Sequence, residues 1–196
     1  IKYVTIAEKE LSKYKNNILN KKNNSKKKNK LKSHIILPLI RKNLSVKNEN
    51  GDYTKWIFDI RVNQNILNYL DHKNLKNFTS RGTVTPDHVI RTKSKPLILN
   101  IGNLNQVKID YLLHKEIEKY KKKYKKYYLK NKKFEKNAIE LDGNPRLIFI
   151  PNFGIVAIGR SKKEAKIAGD LAEAQVDIIS KAESLGRFSS ISEKEI

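Results

Sequence analysis

The sequence predicts an α/β fold, on three observations. Arg146-Leu147-Ile148-Phe149-Ile150, the turn Pro151-Asn152-Phe153-Gly154 and Ile155-Val156-Ala157-Ile158-Gly159 read as two antiparallel strands joined by a tight hairpin. Ser161 and Glu164 then stand at capping-box spacing, and Ala165, Ala168, Leu171, Ala172, Val176, Ile179 and Ala182 share one face of a helix reaching about residue 185. The apolar residues gather at 34–46, 53–70, 84–113 and 138–188, separated by Lys/Asn-rich runs that cannot be buried. That is the pattern of one core with polar excursions.

The remaining elements follow in chain order. Val4, Ile6, Ala7, Leu11 and Tyr14 recur near helical spacing, so residues 2–19 predict a helix, one that opens without an N-cap. Residues 20–33 are a Lys/Asn-rich tract in which like charges repel and nothing apolar can bury, which predicts a mobile linker. An apolar segment over 34–46 places Pro38 at or near a helix start. Trp56, Phe58 and Ile60 alternate as in a strand around 53–62. Asn63 can then cap a helix over 64–79, with Ile66, Leu67, Leu70, Leu75 and Phe78 on its buried side. A turn follows, and Val89 and Ile90, both β-branched, suggest that the chain next enters the sheet. Residues 96–101 predict a short strand ending at Gly102. Residues 105–134 predict a long basic helix with Val107, Tyr111, Leu112, Ile117, Tyr120, Tyr124, Tyr127 and Tyr128 at three- to four-residue spacing. Gly186 is expected as the C′ residue of the last long helix, and Ser190 with Glu193 as the start of another.

The 196 residues suffice for one ordinary domain, and their net charge is +22. A charge of that size raises nucleic acid as a partner. The excess is almost all Lys, accompanied by abundant Asn and Ile. Nucleic-acid readers favour the planar fork of Arg, and A/T-rich coding accounts for Lys, Asn and Ile together. Tyrosines interleaved with Lys over 105–134 fit a stacking platform for single strands, or one helix face packed on a core with Lys stems around it; the second is the more economical reading. The tract 20–33 is likewise read as a linker before a nucleic-acid arm. Cysteine is absent, so no disulfide framework or thiolate chemistry is available. Methionine is absent too, even at position 1, which suggests a piece of a longer chain or a processed product. No apolar run approaches the ~18 residues that span a bilayer, and Glu8 and Glu10 interrupt any signal-peptide core.

The most varied chemistry lies in Arg81-Gly82-Thr83-Val84-Thr85-Pro86-Asp87-His88-Val89-Ile90-Arg91-Thr92-Lys93. A carboxylate, an imidazole and two cations fall within seven residues of a proline turn. Asp87 and His88 are candidates for an acid–base or metal-ligand pair, and Arg91 and Lys93 for binding a phosphate or carboxylate. A surface turn with a solvated His88 is the plainer alternative. His34, His72 and His114 have no partner at metal-ligand spacing. There is no Gly-x-Gly-x-x-Gly, no Walker loop and no His-x-His or His-Glu-x-x-His pattern. A catalytic metal normally needs three protein ligands, so this chain is one short.

Two blocks, Arg81 to Lys93 and Pro145 to Phe188, resemble the bifunctional rhamnulose-phosphate aldolase/short-chain dehydrogenases. The resemblance covers roughly residues 50–196. In that family a class II aldolase/adducin-like region precedes a Rossmann dehydrogenase. The resemblance implies a three-layer α/β/α sheet of the class II aldolase type, incomplete in this chain. Residues 1–19 would close an upstream aldolase unit, 20–33 would link, and 34–196 would form a second aldolase-like domain. It implies retro-aldol cleavage of a ketose 1-phosphate such as rhamnulose 1-phosphate, in a cytoplasmic enzyme that is a homo-oligomer. A divalent metal, zinc in most relatives, would have its histidine motifs before residue 1, and NAD would be held by a dehydrogenase domain after residue 196. His88 would be a contributing metal ligand or, with Asp87, a proton shuttle; Arg91 and Lys93 would hold the sugar phosphate. One departure stands out. Where class II aldolases carry Asn-His-Gly with a metal-binding His, this chain has Asn152-Phe153-Gly154. A phenyl ring cannot ligate zinc, so a non-catalytic connector or oligomerisation module is the alternative, with a basic nucleic-acid-binding protein a distant third.

Overall fold

Two short strands, β3 (Leu147–Ile150) and β4 (Gly154–Gly159), are apolar almost throughout, and every one of their residues is buried. Strands of that composition need cover on both faces. In the computed structural model, which describes residues 32–47, 49–134 and 139–190 and isolated positions between 3 and 13, they have it. The helices around them are α1 (Ser33–Leu44), α2 (Gln64–Leu70), α3 (Leu75–Ser80), α4 (Pro86–Thr92), α5 (Gln106–Asn131) and α6 (Lys162–Leu185). With β1 (Ile57–Arg61) and β2 (Leu97–Ile98), the sheet has the order β1-β4-β3-β2. β4 pairs antiparallel with both β1 and β3, and β2 runs parallel to β3.

The alternation of strand side chains divides the core in two. Ile148, Ile150, Val156 and Ile158 face one way and pack with Trp56, Leu97 and Leu99 against α1 and α5. Leu147, Phe149, Ile155 and Ala157 face the other way, onto α2, α3 and α6. This is the three-layer α/β/α arrangement expected from the sequence. The hairpin between β3 and β4 is as tight as predicted. Phe153 N–H donates to Ile150 O at 3.1 Å, and Asn152 takes φ 60°. Gly154 has φ 137°, and a Cβ there would lie 2.6 Å from Arg61 O. Both facts demand glycine. Ser161 Oγ accepts from Glu164 N–H at 3.2 Å, and the Glu164 carboxylate accepts from Arg160 N–H at 2.8 Å, so the capping box forms one residue wider than its usual pattern.

Several elements differ from expectation. α1 begins at Ser33, so Pro38 lies inside it. The periodic Ile36, Leu39, Ile40 and Leu44 hold the helix on the sheet through that proline. Asn63 caps α2 as predicted, its Oδ1 accepting from Ile66 N–H at 2.9 Å, but the single helix over 64–79 is two. The break falls at Asp71, whose carboxylate reaches across to accept Asn152 N–H at 2.8 Å. The residues after Pro86 do not enter the sheet. Pro86 sits in the first turn of α4 and starts a helix, overriding the β preference of Val89 and Ile90, and Ile90 is 66% exposed. In α5 the buried stripe is Ile109, Leu113 and Ile117, while Val107 and Tyr111 are 78% and 70% exposed. Gly186 ends α6 with φ 179°, an extended rather than left-handed conformation. The linker over 20–31, most of the first predicted helix and Glu193 lie outside the described residues. No described helix is long and apolar enough to cross a membrane.

Candidate functional site

α4 carries the candidate residues, and its helical phase sorts them. His88 and Thr92 are one turn apart and face inward; Asp87, Ile90 and Arg91 are exposed. His88 is only 4% exposed. Its Nδ1 lies 2.8 Å from Thr85 Oγ1, and its Nε2 lies 3.2 Å from the carbonyl oxygen of Leu171 on α6. A carbonyl only accepts, so Nε2 carries the proton; Nδ1 is left to accept from the Thr85 hydroxyl. Burial lowers the His88 pKa below the usual imidazole value; the Leu171 carbonyl and Asp87 oppose that shift. The ring is therefore neutral near pH 7, with both nitrogens in use. It clamps α4 to α6.

Lys93 follows α4 with φ 63°, a left-handed conformation that is costly for a residue with a Cβ. It is 4% exposed, its ammonium donates to the Asp142 carbonyl, and Nζ stands 3.7 Å from the centre of the Tyr124 ring. Burial pushes its pKa down to about 8, Asp142 and Glu140 opposing and Arg146 assisting. The strained turn thus sends Lys93 toward α5 and the 139–146 segment, while His88 goes to α6. The structure does not bring the four candidates together. Asp87 and Arg91 point outward from α4, with no ion pair among the described residues.

Three groupings carry more connected chemistry than the turn did. Arg81, at the end of α3, pairs with Glu183 and donates to Phe188 O at 2.9 Å, tying α3 to the end of α6. Arg61 on β1 bonds Asp59 and Asp170 at 2.7 Å each and Glu173 at 3.1 Å. Gly169 makes room for that cluster, since a Cβ there would overlap the Asp59 carboxylate and lie 2.9 Å from Arg61 Nε. Trp56 donates to Leu44 O at 3.0 Å and lies under the guanidinium groups of Arg160, at 3.9 Å, and Arg146, at 5.3 Å. None of these could be read from sequence, because most of their partners are distant in the chain; Asp59 beside Arg61 on β1 and the small Gly169 on a helix face are local hints.

A cleft of about 760 Å³ opens between the end of α3, the segment 93–98 and α5. Lys93 and Tyr124 form part of its wall, beside Leu97, Leu112, Tyr120 and Tyr127. Among the described residues no group of three His, Asp or Glu side chains is placed to hold a metal ion. Phe153 is half-buried against the α1/α5 core, and both His88 nitrogens are engaged, so these residues do not fit a zinc site of their own.

A central sheet layered between α1/α5 and α2/α3/α6, with a tight glycine hairpin feeding a long capped helix, defines an aldolase-like α/β domain. The chain belongs to the family "Aldolase class II, second domain", whose model matches residues 31–196. It is 29% identical over 141 residues to "Uncharacterized oxidoreductase YuxG" of Bacillus subtilis (strain 168), covering 66% of this chain and 20% of that protein. The chain therefore spans about a fifth of the length of the relative it matches. No solved structure matches it.

Proposed function

We propose that this chain is the class II aldolase region of a longer lyase that cleaves a ketose 1-phosphate, such as rhamnulose 1-phosphate, in a polypeptide that also carries a short-chain dehydrogenase. The family match over residues 31–196 carries this reading, and the partial similarity to a much longer protein described as an oxidoreductase supports the fusion. Zinc, the expected metal, takes its ligands from outside this chain and, when bound, supplies carbonyl polarisation; NAD enters only through the dehydrogenase. The assembled protein is a cytoplasmic homo-oligomer. Of the four residues in and after α4, Asp87 and Arg91 are exposed to meet a substrate. Arg91 suits a phosphate, and Asp87 suits proton transfer. His88 positions α4, and Lys93 fixes the turn behind it.

A non-catalytic connector is the second reading, favoured by Phe153 in the turn and by the engaged nitrogens of His88. Steady-state cleavage of rhamnulose 1-phosphate by the full-length polypeptide separates the two. Asp87→Asn is expected to lower kcat about 10²-fold, and Arg91→Ala to raise KM about tenfold. Cleavage that is indifferent to both substitutions leaves the connector role. Absence of any ketose 1-phosphate cleavage overturns the lyase assignment.

A further inference from the structure

The cleft beside α5 is lined by neither of the two residues proposed to meet the sugar phosphate, Asp87 and Arg91. Its volume, about 760 Å³, lies within the ~300–1,000 Å³ typical of small-molecule sites. Its walls differ in chemistry. One is basic: Lys76 comes from α3, Lys95 from the approach to β2, and Lys119 and Lys123 from successive turns of α5. Among the described residues Glu116 is the single acid lining it, and it stands 3.9 Å from Lys119. Lys76 and Lys123 have no acidic partner among the described residues. The charge facing the cleft is therefore unbalanced.

The other wall is aromatic and apolar. Tyr120, Tyr124 and Tyr127 follow one another along α5, with Leu112, Pro96 and Leu97 beside them. Tyr120 spends its hydroxyl on Lys95 O at 2.7 Å, and the Lys93 ammonium lies over the Tyr124 ring. These side chains offer rings more than hydroxyls. Between the walls runs the outer edge of the sheet. Leu99 N–H donates to Phe149 O, and in the parallel register Ile98 pairs with Phe149, so the N–H and C=O of Ile98 turn away from β3 toward this edge. Thr79, Ser80 and Asn100 add short polar groups.

We infer that this cleft binds a small phosphorylated molecule with a flat body, of the nucleoside diphosphate class. The phosphates would meet Lys76, Lys119 and Lys123, and the flat ring would lie against the tyrosine wall. A sugar phosphate would satisfy only the basic half. Neither Asp87 nor Arg91 lines the cleft, so either assignment can fail alone.

Isothermal titration of the full chain with ADP, and with pyrophosphate as the ringless comparison, tests it. Two double variants accompany the parent: Lys119→Ala/Lys123→Ala in the cleft, and Lys162→Ala/Lys163→Ala, which removes the same charge from the exposed start of α6. All of these side chains are exposed, and thermal melts confirm that the variants remain folded. The expected result is saturable ADP binding, weakened about tenfold or more in the cleft variant and unchanged in the α6 variant, with pyrophosphate weaker than ADP. Equal weakening in both variants would mean diffuse attraction to a +22 chain and overturns the site. Pyrophosphate binding as tight as ADP overturns the ring contact and with it the nucleotide class. No binding of either overturns the proposal.

Discussion

His88 Nε2 lies 3.2 Å from the main-chain oxygen of Leu171, 83 residues away, and this bond joins α4 to the long helix that covers one face of the sheet. It fixes the tautomer of the ring and, with Thr85 on the other nitrogen, leaves the imidazole no free lone pair. A residue that reads in sequence as a catalytic candidate is spent here on joining two helices.

His88→Gln should therefore lower stability by about 1–3 kcal/mol, the cost of disrupting a buried pair of hydrogen bonds, and should change the pH response. The folded-state pKa of His88 lies below its unfolded value. Below about pH 6.5 the unfolded chain binds the proton more readily, so the contribution of His88 is complete above that pH and declines as pH falls toward its folded pKa. Urea denaturation of the parent between pH 7.5 and 5 should show declining stability, and the slope should be smaller in His88→Gln. Equal slopes would show that the ring is not held neutral.

Lys93 provides a test on the alkaline side. Its folded pKa, about 8, lies below the ordinary lysine value because of burial. The unfolded chain holds that proton to higher pH, so this group makes stability rise from about pH 8 toward 10 and diminishes it as pH falls back through 8. Lys93→Met keeps most of the buried stem and should flatten the rise. The buried Tyr69 and Tyr120, whose pKa values burial raises, work in the opposite sense at higher pH, so the comparison belongs below pH 10. A parent and variant that run parallel between pH 8 and 10 would contradict a desolvated ammonium over Tyr124.

The hairpin gives a prediction about metal. Phe153→His restores the Asn-His-Gly wording at residues 152–154, yet no cluster of ligands stands ready among the described residues. Zinc by elemental analysis after dialysis should remain far below one per chain in this variant. Stoichiometric zinc would mean that ligands assemble which the present geometry does not place together. Gly154→Ala, at φ 137° and 2.6 Å from Arg61 O, should cost about 2 kcal/mol or more in thermal or urea unfolding.

What the sequence disclosed follows physical range. The hairpin, the Ser161 cap and the Asn63 cap were legible because the partners of the turn and of both caps lie within three residues and the strand pairs within ten. The two-faced core followed from strands with no polar side to give to water. Apolar spacing alone misplaces the phase of α5 at its start, since Val107 and Tyr111 offer a plausible apolar pair and only packing on α1 selects Ile109 and Leu113. In α4 a local signal, Pro86, outweighed β propensity. The four candidates shared a turn in sequence but not a site in space, because the phase of α4 turns His88 inward and Asp87 and Arg91 outward, and the left-handed Lys93 then leads the chain away from them.

The break between α2 and α3 is the clearest long-range effect, and it yields the last prediction. Apolar spacing alone supports one helix from 64 to 79, but Asp71 accepts the Asn152 N–H at 2.8 Å, across 81 residues. That amide sits on the left-handed residue of the hairpin, where no strand partner is available to it. Asp71→Ala leaves the N–H without this acceptor and should cost about 1–3 kcal/mol, whereas Asp71→Asn keeps a carbonyl oxygen at the same place and should cost less. If the bond also holds the turn between α2 and α3 open, amide hydrogen exchange at 71–74 and at 151–153 should accelerate together in Asp71→Ala and not in Asp71→Asn. Exchange that rises in one segment alone would show that the hairpin and the helix break are set independently.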